Sequence, residues 1–218
     1  MASMSQRFRG DDAHDRATGL AAAKSAIRTA GLVVFPTDTV YGIACDAFNP
    51  MATGALRAAK GRPPGSALPV LVAAPATVDG LVWSLPEGGR ELIRTFWPGG
   101  LTIVGRQQPS LMWDVDESDT VSVRMPLHPL ALELLRQTGP LAVTGGNYSG
   151  MPLPRTCAEA EEQLGDSVAI YLDGGPVLSA ESSTIVDVTG TVPRVLREGA
   201  VSIQALRRVC PDLEADED

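Results

Sequence analysis

The 218-residue chain is poor in the side chains from which disulfide frameworks, metal sites and covalent catalysts are built. Its three cysteines, Cys45, Cys157 and Cys210, are odd in number, far apart and in no metal-ligand spacing, which argues against a disulfide scaffold and fits a reducing cytoplasm. With two histidines, His14 and His128, and no CxxC pair, no zinc site is expected. Aromatic residues make up 5% of the chain and the net charge is −8, so a basic, aromatic-lined surface for nucleic acid is not expected either. No apolar run reaches the length of a membrane span, and the start, from Met1 to Arg16, is polar and acidic, without a signal-peptide core. Lysine is scarce: Lys24 and Lys60 are the only two, and every other basic residue is arginine.

What is present describes a globular domain. Hydrophobic residues reach 44%, and the 22 glycines and 17 prolines are spread along the chain, which fits a loop-rich α/β protein of one or at most two domains. The negative charge is uneven. Five acids fall in the last seven residues, from Asp212, so the body of the chain is close to neutral. Residues 211–218 read as a solvated acidic tail, residues 1–14 as a flexible N-terminus, and residues 15–210 as the folded domain.

Apolar runs and punctuation alternate through that domain. Asp15 to Ala30 reads as a helix with Gly31 as its C-cap, and Leu32 to Phe35 as a buried strand stopped by Pro36. Asn49 and Pro50 open a helix that runs to about Lys60, and Ala67 to Ala73 reads as a strand. Glu87 to Trp97 is helical, Leu101–Gly105 and Thr120–Arg124 are strands, Pro129 opens a helix to Gln137, and Leu141–Thr144 is again a strand. Thr156 and Glu159 make a capping box for a helix ending at Gly165. Val168–Leu172, Thr184–Val188 and Arg194–Leu196 are strands, and Ser202 caps a last helix. Strands mixed with single helices, and no linker or repeat, predict one α/β domain with an open mixed sheet and flanking helices.

Several of these strands end in short polar clusters: Thr37-Asp38-Thr39, Lys60-Gly61-Arg62 to Ser66, Thr120 to Arg124, Gly145-Gly146-Asn147 and Ser182-Ser183-Thr184. Ligands of open α/β sheets bind beyond strand ends, so these loops are the natural site. The Lys60/Arg62 loop combines a point charge with a two-pronged donor and suits a phosphate, although Lys60 at a helix end also suits simple capping. Neither GxxxxGK[ST] nor GxGxxG is present, so a nucleotide has to be held in another way. There is no GxSxG elbow, and His128 reads as a helix-start residue, so positioning and charge neutralisation fit better than a covalent intermediate.

Seven motifs then occur in the order found in one family: Pro36-Thr37-Asp38-Thr39-Val40-Tyr41-Gly42, Lys60-Gly61-Arg62-Pro63, Phe96-Trp97-Pro98-Gly99, Val123-Arg124-Met125-Pro126 with His128-Pro129, Asn147-Tyr148-Ser149-Gly150, Ser183-Thr184-Ile185-Val186-Asp187 and Leu196-Arg197-Glu198-Gly199. From Gly31 to Val201 the chain resembles the YrdC/TsaC family of threonylcarbamoyl-AMP synthases. The resemblance implies a YrdC-like fold, a single-domain twisted open mixed sheet with an electropositive cleft. It also implies a reaction in which L-threonine, bicarbonate and ATP give threonylcarbamoyl-AMP and pyrophosphate, with Mg²⁺ expected alongside ATP. A separate threonylcarbamoyl-transfer complex then carries the group to adenosine in tRNA, so contact with RNA is expected to be weak or indirect.

Carried over by position, Lys60, Arg62, Ser66, Thr120, Asn147 and Arg197 are the expected ATP contacts, with Lys60 and Arg62 as catalytic cations. Thr39, Arg124 and Ser183 are the expected threonine contacts, Arg124 pairing the substrate carboxylate. Two departures stand out. The family usually has Ser-Ala-Asn where this chain has Gly145-Gly146-Asn147, and a glycine nest of backbone N–H groups is the expected substitute for the hydroxyl. Ala67-Leu68-Pro69 also departs from the usual Pro-Leu order, and some members carry a polar residue at the position of Leu71. Two other readings remain open at this level: an RNA-binding or ribosome-associated protein of the same fold, and a paralogue that adenylates a different carbamate.

Overall fold

The computed structural model describes residues 5–111, 113, 118–178 and 181–215. Among them, one sheet contains β1 (Gln6–Arg9), β2 (Val33–Pro36), β3 (Tyr41–Asp46), β4 (Val70–Leu71), β5 (Leu101–Arg106), β6 (Thr120–Arg124), β7 (Leu141–Gly145), β8 (Ile170–Asp173), β9 (Thr184–Asp187) and β10 (Arg194–Arg197). The helices are α1 (Ala13–Arg28), α2 (Pro50–Ala59), α3 (Glu87–Phe96), α4 (Pro129–Thr138), α5 (Cys157–Leu164) and α6 (Ile203–Val209). The spatial order is β1-β8-β2-β3-β7-β4-β6-β5-β9-β10. β8 pairs parallel with β1 and β2, as do β4 with β6 and β5 with β9, while the other neighbours are antiparallel. This is the mixed α/β sheet that the alternation of strands and single helices predicts.

The two-residue period of the strands sorts side chains onto two faces. Val33 and Phe35 of β2 join Leu20, Ala23 and Ile27 of α1 and Leu130, Leu134 and Leu135 of α4, whereas Val34 joins the larger cluster on the opposite face. The same alternation runs through β6: Val121 and Val123 enter the larger cluster, which turns Ser122 and Arg124 to the face of α1 and α4. Those two helices pack over β1, β8, β2 and β3. Further along, on β7, β4, β6, β5 and β9, the same face carries a cavity.

The helix ends follow their expected chemistry. The Asn49 side chain accepts from the Met51 and Ala52 amides, Thr156 from Glu159, and Ser202 from Ala205. The Glu159 carboxylate completes its cap one residue early, on the Arg155 amide at 2.7 Å. The end of α1 differs from expectation. Ala30, at φ 63°, takes the left-handed position expected of Gly31, and the Gly31 amide closes on the Ala26 carbonyl at 2.7 Å.

Three further differences concern strands. β3 begins within the Pro36–Gly42 motif and runs on through Ile43–Asp46, where no element is predicted, yet its first five residues are buried. The strand expected over Ala67–Ala73 narrows to Val70 and Leu71. β1 falls within the segment expected to be a flexible N-terminus: it pairs with β8 over four residues, and the half-buried Phe8 packs on Gly19 of α1. The opening of the acidic tail is likewise tied down. Leu213 is 3% exposed, and Glu214 bridges β10, its carbonyl accepting from the Val195 amide and its amide donating to Pro193.

A β-carbon added to Gly19 would lie 2.5 Å from Cβ of Phe8, too close to the β1 backbone for a rotamer change to relieve. Gly19→Ala is expected to destabilise the fold by about 1–3 kcal/mol in denaturant unfolding through overpacking. An unchanged midpoint would mean that β1 is not packed on α1.

Candidate active site

The cavity has a volume of about 460 Å³, within the range of small-molecule sites. Its floor is apolar, formed by Leu71, Val143, Gly42 and Pro69, and its rim is polar. Of the nine residues selected from the sequence, Thr39, Arg62, Arg124, Asn147, Ser183 and Arg197 line it together. They come from six separate loops or strand ends, which the sheet order brings to one place. Three do not line it. Lys60 is buried directly behind the wall. The Ser66 hydroxyl turns back on its own loop, donating to the Pro63 carbonyl at 2.8 Å. Thr120 begins the strand that Arg124 ends, about 13 Å away at the usual rise per residue, and its hydroxyl pairs with Ser118 at 2.7 Å.

Arg124 is the most constrained group. Nε donates to the Gly99 carbonyl at 2.9 Å, Nη1 to Oγ1 of Thr39 at 2.9 Å, and Nη2 to Oδ1 of Asp38 at 2.6 Å. The ion pair is almost dry, with side-chain exposures of 8% for Arg124 and 17% for Asp38. Burial pulls the Arg124 pKa down, and the Asp38 charge opposes that shift. A guanidinium has five N–H donors. Three are engaged among the described residues, so each terminal nitrogen keeps one, the pattern a carboxylate accepts in pairs. Asp38 was not selected from the sequence as a site residue. It lay in the Thr37-Asp38-Thr39 cluster, and nothing in the chain pointed to a partner at residue 124.

Lys60 is held by a different set of acceptors. Its ammonium donates to the Gly145 carbonyl at 2.5 Å, to the Asn147 carbonyl, and to Oδ1 of Asn147 at 2.7 Å. All three N–H groups therefore clasp the 145–147 turn. Burial, followed by repulsion from Arg62, brings its pKa down to about 8. Asn147 completes the clasp by donating from Nδ2 to the Met151 carbonyl at 2.7 Å.

On the other rim the hydroxyls of Ser183 and Thr102 pair at 2.8 Å, and Nη2 of Arg197 donates to the Ser183 carbonyl at 2.7 Å. The glycine nest expected at Gly145-Gly146 is incomplete, because the Gly146 amide is committed to the Tyr41 carbonyl at 2.8 Å. Cys45 and Cys157 are buried, which pushes each thiol up to about 12, and neither lines the cavity. His128 is the N-cap residue of α4, as expected, without a side-chain capping bond. Among the described residues no carboxylate lines the cavity, and no three His, Cys, Asp or Glu side chains form a metal-ligand group. No described helix is long and apolar enough to cross a membrane.

The chain matches the Sua5/YciO/YrdC family model, described as "Telomere recombination", over residues 25–199. It is 34% identical over 200 residues to the threonylcarbamoyl-AMP synthase of Bacillus subtilis, an alignment covering 90% of this chain and 58% of that protein. A Mycobacterium tuberculosis protein that carries the same name provisionally is 52% identical over 207 residues, covering 94% of this chain and 95% of that one. Among solved structures, Pyrococcus abyssi Sua5 complexed with L-threonine superimposes with a TM-score of 0.88 at 30% identity, covering 96% of this chain and 62% of Sua5. Escherichia coli YciO, at 22% identity and a TM-score of 0.80, shares the fold.

The Lys60 environment has a measurable consequence. With only two lysines, side-chain NMR of isotope-labelled lysine resolves Lys60 directly, and its ammonium is expected to titrate near pH 8 instead of the ordinary 10.5. Because the folded-state value is the lower one, the unfolded chain binds more protons between those values, so this group makes the fold more stable as pH rises through that window. Anion affinity should move the opposite way, falling above about pH 8. A Lys60 ammonium titrating near 10.5 would mean that burial and Arg62 do not outweigh the three acceptors that favour its charged form.

Proposed function

The chain belongs to the Sua5/YciO/YrdC family, and from that premise we propose that its cavity makes threonylcarbamoyl-AMP from L-threonine, bicarbonate and ATP. One observation carries this reading. The same cavity is lined by a guanidinium that keeps two N–H groups and by Arg62 and Asn147, which the Lys60 charge backs. A site that joins an amino-acid carbamate to a nucleotide needs both a carboxylate receptor and a phosphate receptor.

The chemistry balances with these parts. The threonine amine adds to carbon dioxide, equivalently to bicarbonate with loss of water, and gives a carbamate. A carbamate oxygen attacks the α-phosphorus of ATP, the new P–O bond forms, and the bond to the β-phosphate oxygen breaks to release pyrophosphate. Both reactants are anions, so the protein's work is to hold them together and neutralise charge on the departing pyrophosphate. Arg124 and Thr39 are assigned to the threonine carboxylate end, with Ser183 beside them. Arg62, Asn147 and Arg197 are assigned to the nucleotide, and Lys60 supplies its charge through the turn it clasps. Ser182 and Arg197 also border a shallower depression of about 1020 Å³, to which the rest of the nucleotide is assigned. The geometry gives Ser66 and Thr120 no part in the cavity wall, and their assignment to ATP rests on the motif alone. Among the described residues no carboxylate lines the 460 Å³ cavity, although Glu181 and Glu198 line the adjoining depression; Mg²⁺ is assigned to the triphosphate as part of the substrate. The product is a mixed anhydride that a separate transfer enzyme consumes.

Purified protein is expected to release pyrophosphate from ATP only when L-threonine and bicarbonate are both present. Arg124→Ala removes two charge-assisted contacts worth about 1.5–3 kcal/mol each, so the threonine KM should rise by at least about 100-fold, with a smaller change in the ATP KM. No pyrophosphate, under conditions in which the Bacillus subtilis relative releases it, would overturn the proposal. Turnover with another amino acid but not threonine would identify a different carbamate.

A further inference from the structure

Gly42 of β3 and Gly145 of β7 are cross-strand partners, so two adjacent strands leave the cavity floor without side chains at one point. Gly145 is not in the left-handed region, so its backbone does not demand glycine; space does. A β-carbon at residue 145 would fall 2.5 Å from Cδ2 of Leu153 and 3.0 Å from Oδ1 of Asn147. The volume a side chain would need there is already held by Leu153, which lines the cavity.

Leu153 is not a loose loop tip. It lies between Pro152 and Pro154, which restrict the backbone on both sides. The Pro152 carbonyl accepts from Nε2 of Gln163 at 3.1 Å, and the Pro154 carbonyl accepts from the Tyr41 amide at 3.2 Å. Oδ1 of Asn147, the neighbour on the other side, is the atom that Lys60 holds at 2.7 Å. A polar group on residue 145 would reach that oxygen and compete with the ammonium for it.

We infer that Leu153 is a specificity-determining residue of the cavity and acts as one unit with Gly145, walling the nucleotide end and leaving Asn147 to Lys60 alone. The inference rests on the reading of the cavity given above and names what shapes its phosphate-facing end. Substituting either residue alone spoils the wall, and substituting both in a complementary way restores it.

A double-mutant cycle of Gly145→Ser, Leu153→Ala and the pair tests this. The atoms that Gly145→Ser would meet, Cδ2 of Leu153 and Oδ1 of Asn147, belong to side chains and not to the backbone, so the strand is left in place and the effect falls on the site. In the pyrophosphate-release assay Gly145→Ser should raise the ATP KM about tenfold and leave the threonine KM within about twofold, and adding Leu153→Ala should recover most of the loss. The NMR signal of Lys60 should shift in Gly145→Ser, and that shift should shrink in the double variant, where the serine hydroxyl can turn into the space that Leu153 leaves. That signal does not depend on turnover, so it tests the pairing even if the wild type releases no pyrophosphate and the functional proposal fails. Additive effects on KM, an equal change in the threonine KM, or a Lys60 signal unmoved by Gly145→Ser would each overturn the inference.

Discussion

Two cationic side chains are buried beside a cavity, and the site depends on the acceptors that keep them there. A buried charge is tolerated only when it is paired or fully hydrogen-bonded. Arg124 meets that condition with the Asp38 carboxylate and the Thr39 hydroxyl of one turn and the Gly99 carbonyl of another segment. Lys60 meets it with two carbonyls and a carboxamide oxygen from a single turn. The first arrangement leaves donors for a ligand. The second leaves none, so Lys60 acts by fixing the turn and by its charge.

The sheet supplies both arrangements through strand alternation. β6 sends Val121 and Val123 into the core and thereby turns Ser122 and Arg124 to the open face. The hairpin between β2 and β3 places Asp38 and Thr39 on Arg124, 85 or more residues away in sequence. Asp38 also accepts from the Leu127 amide at 2.9 Å, so one carboxylate fixes both the guanidinium and the start of the loop leading to α4. Chemistry and topology are joined at that carboxylate.

Where sequence reading succeeded and failed follows from what each element depends on. The helices were legible because their caps are local: Asn49, Thr156 and Ser202 bond to amides two or three residues on. β1 was missed because Gln-Arg-Phe-Arg offers one apolar side chain and becomes a strand only through its pairing with β8. β3 was missed because a glycine and a terminal aspartate interrupt the apolar pattern of a strand that tertiary packing buries. Motif order pointed to six side chains that share one cavity. It included Asp38 without giving it a role and was silent on Leu153, because their roles arise from contacts no local pattern encodes, and it did not show that Lys60 faces a turn and not the open space.

The central claim is that one cavity receives a carboxylate at Arg124 and a nucleotide at the Arg62–Asn147 wall. A crystal structure of the protein soaked with L-threonine and a non-hydrolysable ATP analogue tests it most directly. The account predicts the amino-acid carboxylate on Nη1 and Nη2 of Arg124, phosphate oxygens near Arg62 and Asn147, and the Lys60 clasp intact beneath them. Ligand density elsewhere, or an amino acid bound without contact to Arg124, would contradict it.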